Sequence, residues 1–123
     1  MNNKKIVFAT LTRNPSYHFH KSLMQMSKIG EQFNDYKIIV IESDSYNISE
    51  KFFNQYKTKK NFIIKSLGNL KEKLDYGYLR TERIAFSRNE YLRIINNHQD
   101  LKNFDYLVVF DSDGVSNLMN YSK

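Results

Sequence analysis

The sequence predicts an α/β fold, in which a Rossmann-like, mostly parallel sheet carries helices on both faces. Short runs rich in β-branched residues alternate with longer segments of helical periodicity, as they do in βαβ units. The strand-like runs are apolar at nearly every position, which suits strands that are buried on both faces of a parallel sheet. The length of 123 residues fits a single domain, residues 1–123, with a modest core.

The first two predicted strands each precede a predicted helix. The first strand, Lys5–Thr10, is followed by turn residues and by a helix over Tyr17–Ile29. The second strand, Tyr36–Ile41, precedes a helix over Ser45–Tyr56, for which Ser49 is a candidate N-cap.

The second half of the chain contains the longest helical pattern. Asn61–Ser66 is the third predicted strand, and Leu67–Tyr78, which holds two of the four glycines, is predicted to be a mobile loop. A helix is predicted over Leu79–Asn97 and the fourth strand over Phe104–Phe110, whereas Val115–Lys123 shows no predicted element. Ligands of parallel α/β sheets bind beyond the carboxyl ends of the strands, so functional residues are expected in the loops after these strands.

The composition excludes several classes of protein. The absence of cysteine excludes disulfide frameworks, zinc–thiolate sites and thiol catalysis. Apolar runs reach only four or five residues, far short of the roughly 20 that a membrane-spanning helix needs. A cytoplasmic or cytoplasm-facing location, which includes the membrane periphery, is therefore expected. The net charge of +6 favours an anionic partner, but nucleic acid is not expected, because the aromatic residues follow core periodicity.

The strongest local feature follows the fourth predicted strand. Asp111 and Asp113 place two carboxylates, two residues apart, at the end of an apolar run. Hard oxygen ligands of this kind suit Mg²⁺ or Mn²⁺, and a cation held there could bridge a diphosphate. The alternative is an Asx-type turn, in which the two carboxylates accept backbone N–H bonds and Gly114 closes the turn.

A second acidic pair, Glu42 and Asp44, follows the second predicted strand. These side chains could accept hydrogen bonds from ribose hydroxyls or from a base N–H. Taken alone, the pattern favours a plain turn before a capped helix, with Asp44 or Ser45 as the cap.

The long helix carries an arginine on its predicted apolar face. That face comprises Ile84, Ala85, Tyr91, Leu92 and Ile95. Arg88 lies about 40° from Ile84 on a helical wheel, and a guanidinium there needs an anion such as phosphate or carboxylate. Arg83 lies near the helix start, where the helix dipole also favours anions, and Asn89 flanks Arg88. The alternative is a buried ion pair of Arg88 with Asp111 or Glu42.

Familiar nucleotide-binding and catalytic motifs are absent. The first strand ends in Thr10-Leu11-Thr12-Arg13 rather than in a glycine-rich loop, which argues against P-loop NTPases and dinucleotide-binding domains. His18, His20 and His98 are expected to be ordinary surface residues, because His18 and His20 would point in different directions on a helix.

Four segments occur in an informative order along the chain. They are Thr10-Leu11-Thr12-Arg13-Asn14, Ile41-Glu42-Ser43-Asp44-Ser45, the ten residues from Arg83 to Leu92 (RIAFSRNEYL), and Asp111-Ser112-Asp113. In this order they resemble the nucleotide-sugar-binding half of a GT-A-fold glycosyltransferase. They are most similar to the group that contains the fungal capsule and Golgi mannosyltransferases, whose E-N-D-S and R-x-A-x-x-R-N-x-x-L elements they nearly reproduce. The resemblance covers almost the whole chain.

The resemblance implies an activity, a cofactor and a set of site residues. It implies a hexosyltransferase that transfers a sugar from a UDP- or GDP-sugar to an acceptor glycan, lipid or protein. By position it assigns Mn²⁺ or Mg²⁺, together with the sugar diphosphate, to Asp111 and Asp113. The implied nucleotide-sugar-binding residues are Thr10 and Arg13 beside the base, Glu42 and Asp44 at the nucleoside, Arg83, Arg88 and Asn89 on the helix that faces the donor, and Ser112 within the D-x-D.

The sequence departs from the GT-A pattern after its D-x-D. A GT-A enzyme continues with strands and a loop that bind the acceptor and supply any catalytic base or nucleophile, whereas ten residues follow Asp113 here. We therefore expect a fragment of a longer enzyme, a truncated reading frame or one half of a split protein, inactive by itself as a transferase. The resemblance identifies no catalytic residue within the chain.

Two other interpretations remain open. The segment Val109–Val115 also resembles the first motif of haloacid-dehalogenase-like phosphatases, whose first aspartate is a nucleophile and whose second is a general acid/base. In that family the motif opens the domain, whereas here it closes the chain. The other interpretation is a non-enzymatic protein that binds a nucleotide or anion, or a degenerate remnant without activity.

Overall fold

The computed structural model describes residues 3–46 and 50–110, with only the backbone described for residues 50–52. In this part of the chain the elements are β1 (Lys5–Thr12), α1 (Tyr17–Gly30), β2 (Asp35–Glu42), α2 (Glu50–Lys57), β3 (Phe62–Ser66), α3 (Leu70–Lys73), α4 (Arg80–Asn97) and β4 (Tyr106–Val109). The predictions for Ser49, Asp111, Ser112, Asp113 and Val115–Lys123 lie outside the described residues.

The described strands form one parallel sheet in the order β3-β2-β1-β4. Phe8 at the centre of β1 is opposite Ile38 of β2 on one side and Val108 of β4 on the other. The chain therefore runs outward from β1 to β3 and then returns to the other side of β1. This reversal opens a crevice at the carboxyl ends of β1 and β4, which is where ligands bind in open α/β sheets. The predicted Rossmann-like parallel sheet is confirmed.

Alternating side chains of the two central strands contribute to two cores, one on each face of the sheet. Ile6, Phe8, Ile38 and Val40 join residues of α1 and α2 in one core, and Val7, Ala9, Ile39 and Ile41 join residues of α4 in the other. All eight are at most 4% exposed. Burial on both faces explains why β1 and β2 are apolar at successive positions, as the sequence predicts.

The buried side of α4 differs in rotation from the prediction. Ser87 and Tyr91 are the buried residues of this helix. Ala85, Arg88 and Leu92 are exposed, so their assignment to the apolar face is wrong. The hydrophobic pattern misplaces the face because a small hydroxyl residue, Ser87, lies near its centre and counts as polar.

Several element boundaries also differ from the prediction. β2 extends to Glu42, so this carboxylate belongs to the strand rather than to the loop after it. The segment Leu67–Tyr78 contains the short helix α3, which begins after Asn69, whose side chain accepts the N–H of Glu72 at 3.3 Å. In the described residues α2 begins at Glu50 rather than at Ser45.

His20 is not an ordinary surface residue. It is partly buried on α1, and its Nδ1 shares a hydrogen bond with the hydroxyl of Tyr56 on α2. This bond links two helices on the same face of the sheet, so the side chain has a structural role there. None of the helices in residues 3–46 and 50–110 is long and apolar enough to cross a membrane.

Candidate functional site

A cavity of about 550 Å³ lies where the carboxyl ends of β1 and β4 meet α4. The described residues that line it are Arg13, Arg80, Arg83 and Arg88, the acidic Asp44, and Leu11, Thr12, Ser43, Ile84, Ser87, Tyr91, Val109 and Phe110. Because four arginines accompany one carboxylate, this lining attracts anions. We call this space the arginine cavity.

Helix α4 contributes three of these arginines to the cavity. Arg80, Arg83 and Arg88 all line it, with Arg80 and Arg83 one turn apart at the start of the helix and Arg88 two turns beyond Arg80. The helix begins at Arg80. Because Arg80 lines the cavity, the positive end of the helix dipole lies beside it, and no side-chain N-cap bond occupies that end. Among the described residues, Arg80 and Arg88 form no hydrogen bond or ion pair, and both guanidinium groups are therefore free to bind an anion.

Arg83 is held more firmly than the other two. Its Nη1 donates to the carbonyl oxygen of Gly77 at 2.8 Å, and its Nε lies 3.8 Å from Oδ2 of Asp44. The side chains of Asp44 and Arg83 are 3% and 13% exposed. Oδ1 of Asp44 accepts the backbone N–H of Lys71 at 3.1 Å, so one aspartate joins the end of β2 to both α3 and α4.

Side-chain hydrogen bonds tie the loop after β1 to the loop after β2. Arg13 donates from Nε to the carbonyl oxygen of Asp44 and from Nη2 to the hydroxyl of Tyr46, each at 3.0 Å. The Arg13 guanidinium also lies 5.2 Å from the centre of the Tyr46 ring, a cation–π distance. The N–H of Asn14 donates to Ser45 Oγ at 2.8 Å, and the N–H of Tyr46 donates to Asn14 Oδ1 at 2.7 Å.

A second cavity, of about 250 Å³, lies beside the arginine cavity. The described residues that line it are Arg13, Glu42, Asp44, Ser45, Tyr46, Gly68, Asn69 and Lys71. Arg13 and Asp44 line both cavities, so a single ligand could extend from one into the other. We call this smaller space the Glu42 cavity.

Glu42 is an incompletely paired carboxylate in the lining of the smaller cavity. The residue is 0% exposed, and its Oε1 accepts a hydrogen bond from the hydroxyl of Ser66. Its Oε2 is buried without a hydrogen-bond partner among the described residues. A buried carboxylate oxygen without a donor costs free energy, so this atom is suited to accept a hydrogen bond from a ligand.

The structure brings together most of the described residues that the sequence predicts for the site. Arg13, Asp44, Arg83 and Arg88 line the arginine cavity, and Glu42 lines the smaller one. Glu42 bonds to Ser66, so the alternative in which Arg88 pairs with Glu42 is wrong.

Thr10 and Asn89 line neither cavity. Thr10 is 0% exposed within β1, where its hydroxyl donates to the carbonyl oxygen of Leu11 at 3.4 Å. Thr12, two residues further along the same strand, lines the arginine cavity. Asn89 is exposed on α4.

The cavity residues that the sequence analysis missed include Arg80, Ser87 and Tyr46. Arg80 and Ser87 could have been found, because they share the helical face of Arg83 at spacings of three and four residues. Tyr46 is different, since no periodic pattern marks it, and only the bond from Arg13 shows that it belongs to the site.

The described residues do not form a metal site on their own. Residues 3–46 and 50–110 contain no group of three or more histidine, aspartate or glutamate side chains placed to hold an ion. Phe110 lines the arginine cavity and donates its N–H to the carbonyl oxygen of Ala9 at 3.0 Å. In the sequence it directly precedes the first predicted metal ligand, Asp111, which lies outside the described residues.

Comparison with known proteins adds no family assignment. No protein-family model matches the chain, and no curated protein shows significant similarity to it. Function is therefore inferred from the fold and from the two cavities. Together they offer clustered cations for an anion, next to a buried acceptor and an aromatic ring.

Proposed function

We propose that the chain is the nucleotide-sugar-binding half of a GT-A-fold glycosyltransferase. The diphosphate of a UDP- or GDP-sugar occupies the arginine cavity, and the nucleoside occupies the Glu42 cavity. The observation that carries the proposal is the clustering of Arg13, Arg80, Arg83 and Arg88 around one cavity at the reversal point between β1 and β4. Phosphate groups bind at this position in open α/β sheets, and arginine matches their geometry.

In this proposal the arginines both bind the donor and stabilise its leaving group. As the sugar separates, negative charge grows on the departing diphosphate, and fixed guanidinium groups lower the energy of that charge. The contacts of Arg83 with Gly77 and Asp44 hold its guanidinium in place before the ligand arrives. Arg80 and Arg88, which are exposed, are able to adjust to the phosphate oxygens.

The proposal includes a divalent cation bound by the D-x-D. Asp111 and Asp113 would hold Mn²⁺ or Mg²⁺, which would supply further positive charge to the diphosphate. The acceptor, whether glycan, lipid or protein, would bind to residues beyond those described, and a cytoplasmic or membrane-peripheral location remains part of the proposal.

Titration calorimetry on the full chain tests the anion site. Inorganic pyrophosphate, UDP and GDP are each titrated with and without Mn²⁺. We expect Arg88→Ala to weaken pyrophosphate binding about tenfold, the effect of one charge-assisted hydrogen bond. Arg93→Ala is the matched control, because Arg93 lies on the same helix but pairs with Glu90 and lines neither cavity. Equal losses in both variants, or no binding by the wild type, would contradict the proposal.

The same titrations test whether a divalent cation takes part in nucleotide binding. Mn²⁺ should strengthen binding of GDP or UDP, and Asp113→Ala should abolish that gain while leaving metal-free pyrophosphate binding intact. A phosphatase would instead hydrolyse p-nitrophenyl phosphate in a reaction that Asp111→Asn abolishes. A non-catalytic nucleotide-binding protein would share the binding results but would not hydrolyse p-nitrophenyl phosphate.

A further inference from the structure

We propose that Tyr76 and Tyr78 form a platform on which a sugar ring packs beside the arginine cavity. The inference rests on the proposed function, which brings sugars to this edge of the sheet, and it adds two residues that contact them. The ligand chemistry is a pyranose ring, which either the donor or the distal part of an acceptor glycan would supply. The GT-A resemblance assigns no role to either tyrosine.

The two tyrosines are exposed and contact each other. Tyr76 is 61% exposed and Tyr78 is 71% exposed. Their ring centres lie 6.4 Å apart in an edge-to-face arrangement, which is a favourable geometry for an aromatic pair. Within residues 3–46 and 50–110 neither hydroxyl forms a hydrogen bond to another residue. The pair therefore presents aromatic surface and free hydroxyl groups to a ligand.

The turn that carries the pair is a fixed part of the structure. Gly77, between the two tyrosines, is buried, and an added Cβ would lie 2.2 Å from the carbonyl oxygen of Leu70 in α3. The N–H of Gly77 donates to the carbonyl oxygen of Leu74 at 3.1 Å. The N–H of Leu79 donates to the carbonyl oxygen of Tyr76 at 3.0 Å. Because the backbone of the pair is already ordered, a ligand would lose little binding free energy to ordering it.

The same turn is joined directly to the arginine cavity. The carbonyl oxygen of Gly77 accepts a hydrogen bond from Nη1 of Arg83 at 2.8 Å, and Arg83 lines the cavity. Arg80, two residues after Tyr78, lines it as well. Consecutive Cα atoms are about 3.8 Å apart, so both tyrosines flank the carbonyl that holds Arg83. A hexose attached to a diphosphate in the cavity is therefore within reach of the pair.

The chemistry of a tyrosine pair suits a sugar ring. The C–H groups on one face of a pyranose carry a small positive charge, because the ring carbons are bonded to oxygen. An aromatic ring has a negative face, so the two surfaces attract each other while apolar area leaves water. The phenolic hydroxyl both donates and accepts hydrogen bonds, and it can therefore pair with the hydroxyl groups around the sugar.

The size of the surface favours a sugar over a protein partner. A tyrosine side chain buries about 150–250 Å², so the pair offers at most about 500 Å². A stable protein interface buries about 800 Å² on each partner. Exposed charged residues also border the pair in the chain, with Asp75 before it and Arg80 after it. A small aromatic surface with charged neighbours matches one or two sugar rings.

Calorimetry of the full chain measures what an attached sugar adds to binding. GDP-mannose is compared with GDP, and UDP-glucose with UDP, at one fixed Mn²⁺ concentration. The C–H face is common to both hexoses, so we expect each sugar to raise the affinity. Tyr78→Ala and Tyr76→Ala should each reduce that gain about fivefold without changing the affinity for GDP or UDP. Tyr78→Phe, which keeps the ring, should retain most of the gain.

Tyr17→Ala is the matched control. Tyr17 is 70% exposed, its ring contacts His18 and Lys21 of its own helix, and it lines neither cavity. This variant should keep the full gain from the sugar. An equal reduction in Tyr17→Ala would overturn the inference. So would an equal loss of GDP and GDP-mannose affinity in Tyr78→Ala, because the pair would then support the arginines rather than contact a sugar.

Free mannohexaose distinguishes the two sources of the ring. It is titrated into the ¹⁵N-labelled chain while the amide signals of residues 76–79 are followed. If these signals do not move and Tyr78→Ala reduces the gain from the attached sugar, the platform binds the sugar of the donor. If they move in the wild type but not in Tyr78→Ala, the platform binds a glycan. If neither effect is observed, the inference is wrong.

Pyrophosphate distinguishes failure of this inference from failure of the proposed function. If pyrophosphate binds and no sugar depends on the tyrosines, the platform is wrong but the anion site remains. If mannohexaose binds at the pair while pyrophosphate and the nucleotides do not bind, the platform stands and the proposed function is wrong. If none of these compounds binds, both are wrong.

Discussion

Oδ2 of Asp44 lies 3.8 Å from Nε of Arg83 at the wall between the two cavities, and both side chains are largely buried. Asp44 adopts a left-handed backbone conformation, with φ of 57°, which aspartate tolerates better than most residues. Its N–H donates to the carbonyl oxygen of Gly68 at 2.8 Å. The aspartate thus connects the ends of β2 and β3 and directs a cation of α4 toward the proposed ligand.

Substitution of Asp44 should lower stability in a graded way. Asp44→Ala removes the acceptor for Lys71 and the partner of Arg83 and places a less tolerant residue at positive φ. We expect a loss of about 2 kcal/mol in the free energy of unfolding. Asp44→Asn keeps one acceptor oxygen, now that of an amide, and asparagine tolerates the same φ. The loss in unfolding free energy should therefore be smaller. Urea unfolding measures both, and equal stability of the alanine variant and the wild type would contradict this role.

Substitution of Gly77 should lower both the stability of the fold and the affinity for anions. A Cβ at this position would overlap the carbonyl oxygens of Leu70 and Lys71, and the turn would have to shift with the carbonyl that holds Arg83. Gly77→Ala should therefore lower the urea midpoint and weaken pyrophosphate binding severalfold.

Gly30 offers the matched control for that substitution. A Cβ there would lie 2.5 Å from Cγ of Tyr36, at the amino end of the sheet and far from both cavities in the topology. Gly30→Ala should cost about 1–3 kcal/mol of stability through overpacking and should leave pyrophosphate affinity unchanged. Weaker binding in the folded Gly30 variant would show that stability alone accounts for the effect at Gly77.

Acid should remove the contribution of Glu90 to stability. Hydrogen bonds from Arg93 and from Lys65 at 2.5 Å lower the pKa of Glu90 from 4.5 to about 2. Because the pKa is lowered in the folded state, the ionised carboxylate stabilises the protein above pH 4.5, and this stabilisation disappears as the pH falls toward 2. Glu90→Gln should be less stable than the wild type at pH 7, and the difference should vanish near pH 2. Urea unfolding across this range tests the prediction, and a constant difference would contradict it.

High pH should lower the stability of the fold through ionisation of the Tyr56 hydroxyl. Burial raises the pKa of its hydroxyl from 10.0 to about 12, so the neutral form stabilises the fold below pH 10. That stabilisation is lost as the pH rises toward 12. Absorption titration of the phenolate should show one tyrosine that ionises near pH 12 and is absent from Tyr56→Phe. Its ionisation near pH 10 in the folded protein would show that the hydroxyl is accessible to water.

The sequence predicts the sheet well because burial on both faces leaves a strong local signal. The continuous apolar runs of β1 and β2 identify strands that helices cover on both sides. The parallel order follows from the alternation of strands with helices. The rotation of α4 is less predictable, since Ser87 is buried at a position where its hydroxyl counts as polar.

The candidate site is predicted in part, and the omissions have physical reasons. Arg13, Asp44, Arg83 and Arg88 converge because the ends of parallel strands and the start of the next helix meet at one edge. Tyr46 is absent from the prediction, because its place depends on hydrogen bonds between two loops that no sequence period encodes.

Nuclear magnetic resonance of the ¹⁵N-labelled chain, titrated with inorganic pyrophosphate, locates the anion site residue by residue. We expect the largest amide shifts at Arg13, Asp44, Arg83 and Arg88 around the arginine cavity. The exposed lysines of the segment 57–60, which precede β3 at the opposite edge of the sheet, should change little. If the lysine segment shifts most, or if no residue of the cavity responds, the claim of an anion site at the ends of β1 and β4 is contradicted.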